Sequence, residues 1–168
     1  MSGTFAFLSP DGALAEGGFA PVPRSPLTQG IGHAPAGVAD LSLVLGKLEV
    51  YGAGASLAVA GAEVVPIAPG RFLVLCPYEQ TAGIRAELGG RGLFVVDRTG
   101  TLGALQLEGE RALRRLTDLD LDRLPAVGSV AHVRTVVLRA GDRFRLIFPQ
   151  ECSDSLLEAV TDALAGPA

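Results

Sequence analysis

The chain contains two copies of one pattern, and this limits its folds more than any single motif does. VADLSLVLGKLEVYG, from Val38 to Gly52, is answered by VVDRTGTLGALQLEG, from Val95 to Gly109, at a constant offset of 57. Asp40 matches Asp97, Ser42 matches Thr99, Leu45-Gly46 matches Leu102-Gly103, Leu48 matches Leu105, and Gly52 matches Gly109. A second block continues the repeat at an offset of 72, setting GRFLVLCP (Gly70 to Pro77) against DRFRLIFP (Asp142 to Pro149) and Ile84 against Leu156. The change of offset, from 57 to 72, places 15 additional residues in copy two. Self-similarity of this kind decides how every later segment is read.

Within each copy the apolar residues alternate, as they do in strands with one face buried: Leu48 and Val50, then Phe72 and Val74, answered by Leu105 and Leu107, then Phe144, Leu146 and Phe148. The additional residues lie in ERALRRLTDLDLDRLPAVGS, where Ala112, Leu113, Leu116 and Leu119 have helical spacing until Pro125 and Gly128 stop it. Copy one has only GASLAVAGAE there, which predicts a short or vestigial helix. A closing helix is expected near Ser153 to Leu164, with Leu156, Leu157, Val160 and Leu164 on one face. Ser155 and Glu158 are spaced as a capping box, and Ser153 is an alternative N-cap. Strands grouped with helices packed on them give an α+β fold of two lobes with mostly antiparallel strands. Copy one is read as residues 38–92 and copy two as 93–166, within one domain of 38–168. Residues 1–37, rich in proline, glycine and alanine without a sustained period, read as an extended arm, either disordered alone or ordered against a partner.

Composition excludes several classes of function. A chain of 168 residues can bury roughly 70% of the surface it exposes when unfolded, so a proper core is within reach. Its net charge is -4, and of its 14 basic residues only Lys47 is a lysine; the arginines are scattered, which argues against nucleic acid as a partner. The chain is apolar, with 48% hydrophobic residues and a mean hydropathy of +0.38. Its most apolar uncharged stretch, Val50 to Ala62, is too short and too glycine-rich to cross a bilayer, so no membrane association is expected. The N-terminus lacks the basic and apolar regions of a secretory signal, and the expectation is a cytoplasmic protein. Cys76 and Cys152, without Cys-x-x-Cys spacing, point to ordinary thiols rather than to a disulfide framework or a zinc site.

Several motifs invite a chemical reading and lose it on inspection. Gly52-x-Gly54 after a strand has the start of a dinucleotide-binding turn, but Leu57 stands where the third glycine belongs and no acid follows to hold a ribose. The match of Gly52 to Gly109 favours a turn between repeat elements. Asp118, Asp120 and Asp122 alternate as in a calcium loop, yet Arg123 and Ser129 occupy the positions of the required glycine and bidentate acid, so solvated acids at a helix end are expected. His33 and His132 are too far apart in sequence, and too short of neighbouring ligands, to suggest a metal cluster. Cys152 precedes a helix, which favours a reactive thiolate, but Glu151 and Asp154 oppose it and no base is evident. Cys76 reads as core.

The segment from Leu93 to Leu164 resembles the folate-binding domain of the aminomethyltransferase superfamily, and most of all the sarcosine oxidase gamma subunit family. The residues that carry the resemblance are VVDRTGTLGALQLEGERALRRLTDLDLDRLPAVGS and FRLIFPQECSDSLLEAVTDAL; in the first half APGRFLVLCPYEQTAGIRAEL carries it more loosely. The resemblance implies a duplication of two α+β lobes that exchange strands. It also implies that a carboxylate of the full enzymes would fall in the stretch Ala131 to Val136, which here contains no acid. The molecule so implied is a scaffold without catalytic residues: an accessory subunit or binding module, working as a homo-oligomer or with a larger oxidase subunit. The alternative is a folate or pterin binder, with tetrahydrofolate as candidate ligand and Arg98, His132 or Arg134 facing its anionic tail. An aminomethyltransferase-like enzyme ranks behind both.

Overall fold

The computed structural model describes residues 24–166. Most of the proposed arm, residues 1–23, lies outside the described residues. Nine strands and three α-helices follow one another as β1 (Val38–Asp40), β2 (Leu45–Tyr51), β3 (Glu63–Ala68), β4 (Arg71–Pro77), α1 (Thr81–Gly90), β5 (Phe94–Asp97), β6 (Leu102–Glu108), α2 (Glu110–Arg114), β7 (Ala126–Val130), β8 (Val133–Ala140), β9 (Arg143–Pro149) and α3 (Ser153–Ala165). They form a four-stranded sheet of order β3-β4-β2-β5 and a five-stranded sheet of order β1-β6-β9-β8-β7. Every pairing is antiparallel. The fold is α+β and internally duplicated: in repeat-equivalent terms both sheets have the same strand order, and β7 is an addition to the edge of the second.

The two copies are interlocked rather than side by side. Strand β1, from copy one, pairs with β6 of copy two through Val38, Ala39 and Asp40; strand β5, from copy two, pairs with β2 of copy one from Leu48 to Tyr51. The matched Asp-x-Ser/Thr residues hold these crossings. Asp40 Oδ1 accepts from the Ser42 amide at 2.8 Å and Asp97 Oδ1 from the Thr99 amide at 2.9 Å, so each acid folds its own turn. The hydroxyls then cross between copies: Ser42 Oγ accepts from the Ala104 amide and Thr99 Oγ1 from the Lys47 amide, both at 3.0 Å. Lys47 and Ala104 are themselves repeat equivalents, so the crossing is reciprocal.

Each sheet packs a helix on its outer face. Leu48, Val50, Phe72, Val74 and Cys76 close over Ile84 and Leu88 of α1; Leu105, Leu107, Phe144, Leu146 and Phe148 close over Leu156, Leu157 and Val160 of α3. Full burial of such a side chain contributes roughly 1.5–3 kcal/mol. The inner faces meet in a third cluster built from Val65, Leu73, Leu75, Ala104, Leu138 and Ile147. Ahead of β1, Leu27 is fully buried in the α3-side core.

Three local expectations are corrected. The stretch between β2 and β3 forms turns and no helix, with Gly52, Gly54 and Gly61 at positive φ, a conformation that breaks helices and costs glycine nothing. The expected long helix of copy two stops at Arg114. Thr117 ends it by donating its hydroxyl to the Ser129 carbonyl at 2.6 Å while accepting from the Leu119 amide at 3.2 Å, a local alternative to helical bonding. The rest of the additional residues make a single 3-10 turn, Leu121–Arg123, and strand β7. The final helix has no side-chain cap. It is entered from a 3-10 turn at Gln150–Cys152, and the hydroxyls of Ser153 and Ser155 donate backward to the carbonyls of Gln150 and Cys152. Its apolar face is as expected.

Candidate functional site

Strand β2 carries the charged residues that matter most. Its even positions Gly46, Leu48 and Val50 face α1, so Lys47, Glu49 and Tyr51 point the other way, toward the second sheet. Lys47 is fully buried, with its ammonium donating to the carbonyls of Ser42 at 2.9 Å and Leu45 at 2.8 Å. Burial pushes it down to about 8, against the opposing charges of Asp40 and Asp97.

Two strand positions further on, Glu49 is buried at one end of the interface between the sheets. Arg71 donates to it through Nε at 3.0 Å and through a second nitrogen, and Arg98 Nε lies 3.5 Å from its other oxygen. Burial alone would raise the Glu49 carboxyl; the hydrogen bonds from Arg71 and Tyr51 and the two guanidinium charges outweigh it and hold the group below its ordinary value. Arg71 also stacks over the Tyr51 ring, 5.0 Å from its centroid.

These groups line a cleft of about 190 Å³ between the two sheets. Its charged wall is Glu49, Arg71, Arg98 and Arg134, and its apolar wall comes from both copies, including Ile67, Leu73, Leu102, Val136 and Ile147. Of the three residues singled out in the sequence, the fold thus brings Arg98 and Arg134 together. His132 stands elsewhere, exposed at the tip of the β7–β8 hairpin with φ 67, and is not among the cleft-lining residues. Glu49 and Arg71 carry no motif that marks them in the sequence. Among the described residues there is no group of three or more metal-ligating side chains. Asp118, Asp120 and Asp122 are exposed, and Asp120 caps the 3-10 turn by accepting from the Asp122 amide at 3.1 Å. Gly52 and Gly109 are both turn glycines, with φ of 86 and 92. Cys76 is buried in the core, where desolvation raises its thiol above its ordinary value.

A second surface is distinguished by comparing the copies. Leu43, Val44 and Tyr78 are exposed large apolar residues gathered at one end of the fold, where the Tyr78 amide donates to the Val44 carbonyl at 3.0 Å. In copy two the same backbone bond joins Gln150 to Thr101 at 3.1 Å, and the equivalent residues are Gly100, Thr101 and Gln150. The same backbone bond, made with Gly100, Thr101 and Gln150 in these places, shows that the fold does not require large apolar residues there. Leu43 and Tyr78 line a groove of about 740 Å³ that also touches Thr99, Gly100, Thr101 and Gln150.

No protein-family model matches this sequence, and no curated protein matches it. Among solved structures, a chain of the heterotetrameric sarcosine oxidase from Corynebacterium sp. U-96, in complex with pyrrole 2-carboxylate, superposes with a TM-score of 0.70 at 17% identity. The match covers 85% of this chain and 95% of that one. The fold is that of a sarcosine oxidase subunit. The regulatory subunit of aspartate kinase from Thermus thermophilus, in its ligand-free form, matches with a TM-score of 0.50 at 15% identity, over 76% of this chain and 97% of that one. At such identities the oxidase-subunit likeness establishes the fold and leaves activity to be argued from the residues. Among the described residues no helix is long and apolar enough to cross a membrane.

Proposed function

We propose that this chain is a non-catalytic accessory subunit of the sarcosine oxidase gamma type, acting through contact with a larger, flavin-containing oxidase subunit. The observation that carries the reading is the fold match, which spans 95% of a chain that belongs to a heterotetrameric oxidase. The exposed Leu43, Val44 and Tyr78, present in one copy and replaced by glycine, threonine and glutamine in the other, supply the surface for that contact. The stretch Ala131 to Val136 contains no acid, which is the reason for assigning a scaffold role. Tetrahydrofolate suits the interlobe cleft less well: ligands of drug size fill pockets of roughly 300–1,000 Å³, and this cleft measures about 190 Å³.

Purification of the tagged chain from its own host at native expression tests the proposal. A larger flavin-containing subunit should copurify, and Val44→Asp, which places a charge on the exposed patch, should release it without changing the melting temperature of the chain. A strictly monomeric protein that copurifies with nothing would overturn the assignment.

A further inference from the structure

We propose that the cleft between the two sheets is a binding site for a small organic carboxylate, gripped by Arg134 and Arg98 with its carbon body against the apolar wall. Charge points there first. Three arginines and one glutamate face the cleft, and Glu49 is already engaged by Arg71 and Arg98. Two positive charges are left without a counter-charge inside it. Arg134 makes no side-chain hydrogen bond or ion pair with any described residue, and the buried Nε of Arg98 faces Glu49 at 3.5 Å without forming a hydrogen bond. Buried donors are ordinarily satisfied, and this one is left with room for a nearer acceptor than Glu49.

Shape and chemistry of the walls narrow the class of ligand. A guanidinium presents a planar fork that matches the two oxygens of a carboxylate. Most of the remaining surface, including Ile67, Leu73, Leu102, Val136 and Ile147, offers hydrocarbon contact, and the one hydroxyl there, of Thr135, already donates to the Val133 carbonyl at 3.0 Å, which leaves little for a phosphate's outer oxygens. A volume of about 190 Å³ admits a carboxylate with a short aliphatic chain or a single ring. The walls come from both copies, so the site exists only because the two sheets face each other.

The site needs no partner subunit, so titration of the full chain decides it whatever copurification shows. Acetate, butyrate, benzoate and inorganic phosphate are titrated calorimetrically at one ionic strength fixed with chloride. Butyrate and benzoate should bind saturably, more tightly than acetate, and phosphate should give no more heat than chloride. Arg134→Gln should weaken benzoate at least about tenfold, while Arg134→Lys, which keeps the charge and loses the fork, falls between. Arg134 is exposed and unbonded, so both variants should melt as the parent does in the absence of ligand. Responses equal to chloride, phosphate binding more tightly than benzoate, or unchanged binding in Arg134→Gln would each overturn the proposal.

Discussion

Replacing Lys47 by Met should change the pH dependence of stability by about 3 kcal/mol between pH 8 and 10.5. Lys47 titrates at about 8 in the folded chain and near 10.5 when unfolded. Between those values the unfolded chain holds a proton that the folded chain has released, so raising the pH through this window favours the folded state. Below pH 8 the lysine is charged in both states, and its desolvation is a constant burden that the two carbonyls of Ser42 and Leu45 offset only in part. The fall from 10.5 to about 8 corresponds to about 3 kcal/mol. Tyr51 and Cys76 have the opposite sign, because both are raised above their ordinary values, Tyr51 chiefly through its bond to Glu49 and Cys76 through burial. Their stabilisation is lost as the pH climbs. The measurement is therefore the difference between parent and Lys47→Met in urea unfolding across this range. The relative stability of the variant should be greatest at pH 7 and fall toward pH 10.5; a flat difference would show that Lys47 is not desolvated.

Substitution of the paired strand glycines should be comparably severe. A Cβ built on Gly46 would lie 2.0 Å from Thr81 Oγ1 and 3.0 Å from Cys76 Sγ; one on Gly103 would lie 2.6 Å from the Phe148 ring. Thr81 is buried at the start of α1, and Phe148 is 1% exposed, so neither neighbour has room to retreat. Gly46→Val and Gly103→Val should each cost roughly 3 kcal/mol or more, at or beyond the upper range for overpacked cores. Gly83 in α1 is the control: a Cβ there meets nothing within 4 Å, and Gly83→Ala should stabilise the chain by about 0.5–1 kcal/mol. Chemical unfolding of the three variants measures both effects, and similar values for all three would remove the packing explanation.

The same glycines explain why the duplication was legible. Gly46 and Gly103 recur because a side chain of the neighbouring strand, Cys76 or Phe148, leaves no room for a Cβ, with Thr81 of α1 adding to the crowding at Gly46, and Cys76 and Phe148 themselves recur with the second offset. Asp40 with Ser42, and Asp97 with Thr99, recur because each pair makes a turn and a cross-copy bond. Such residues are dictated by backbone geometry, which leaves its mark at fixed positions. Strand exchange leaves no mark in the repeat itself, since β1 and β5 have the same local sequence whichever sheet they join; it entered only through the family resemblance.

The cleft was half legible for a related reason. Arg98 and Arg134 were found from the resemblance, whereas Lys47 and Glu49 look like the solvent face of a strand that is apolar on its other side. That reading assumes one wet face. The signal against it lay in other strands: Val65, Leu73, Leu75, Leu138 and Ile147 are apolar on the face away from the helices, which means that a second sheet covers the charged residues. The helix expected before β7 failed where Thr117 offered the backbone a competing bond, a contest that apolar spacing does not register.

Two copies form one unit because each lends the other a strand. Residues 24–92 produced alone test this most directly, by calorimetry. The fragment lacks β5 along the edge of β2, leaves β1 without β6, and exposes Val65, Leu73 and Leu75. It should show no cooperative unfolding transition, and mixing it with residues 93–166 should restore one. A cooperative transition in the isolated fragment would contradict the interlocked duplication.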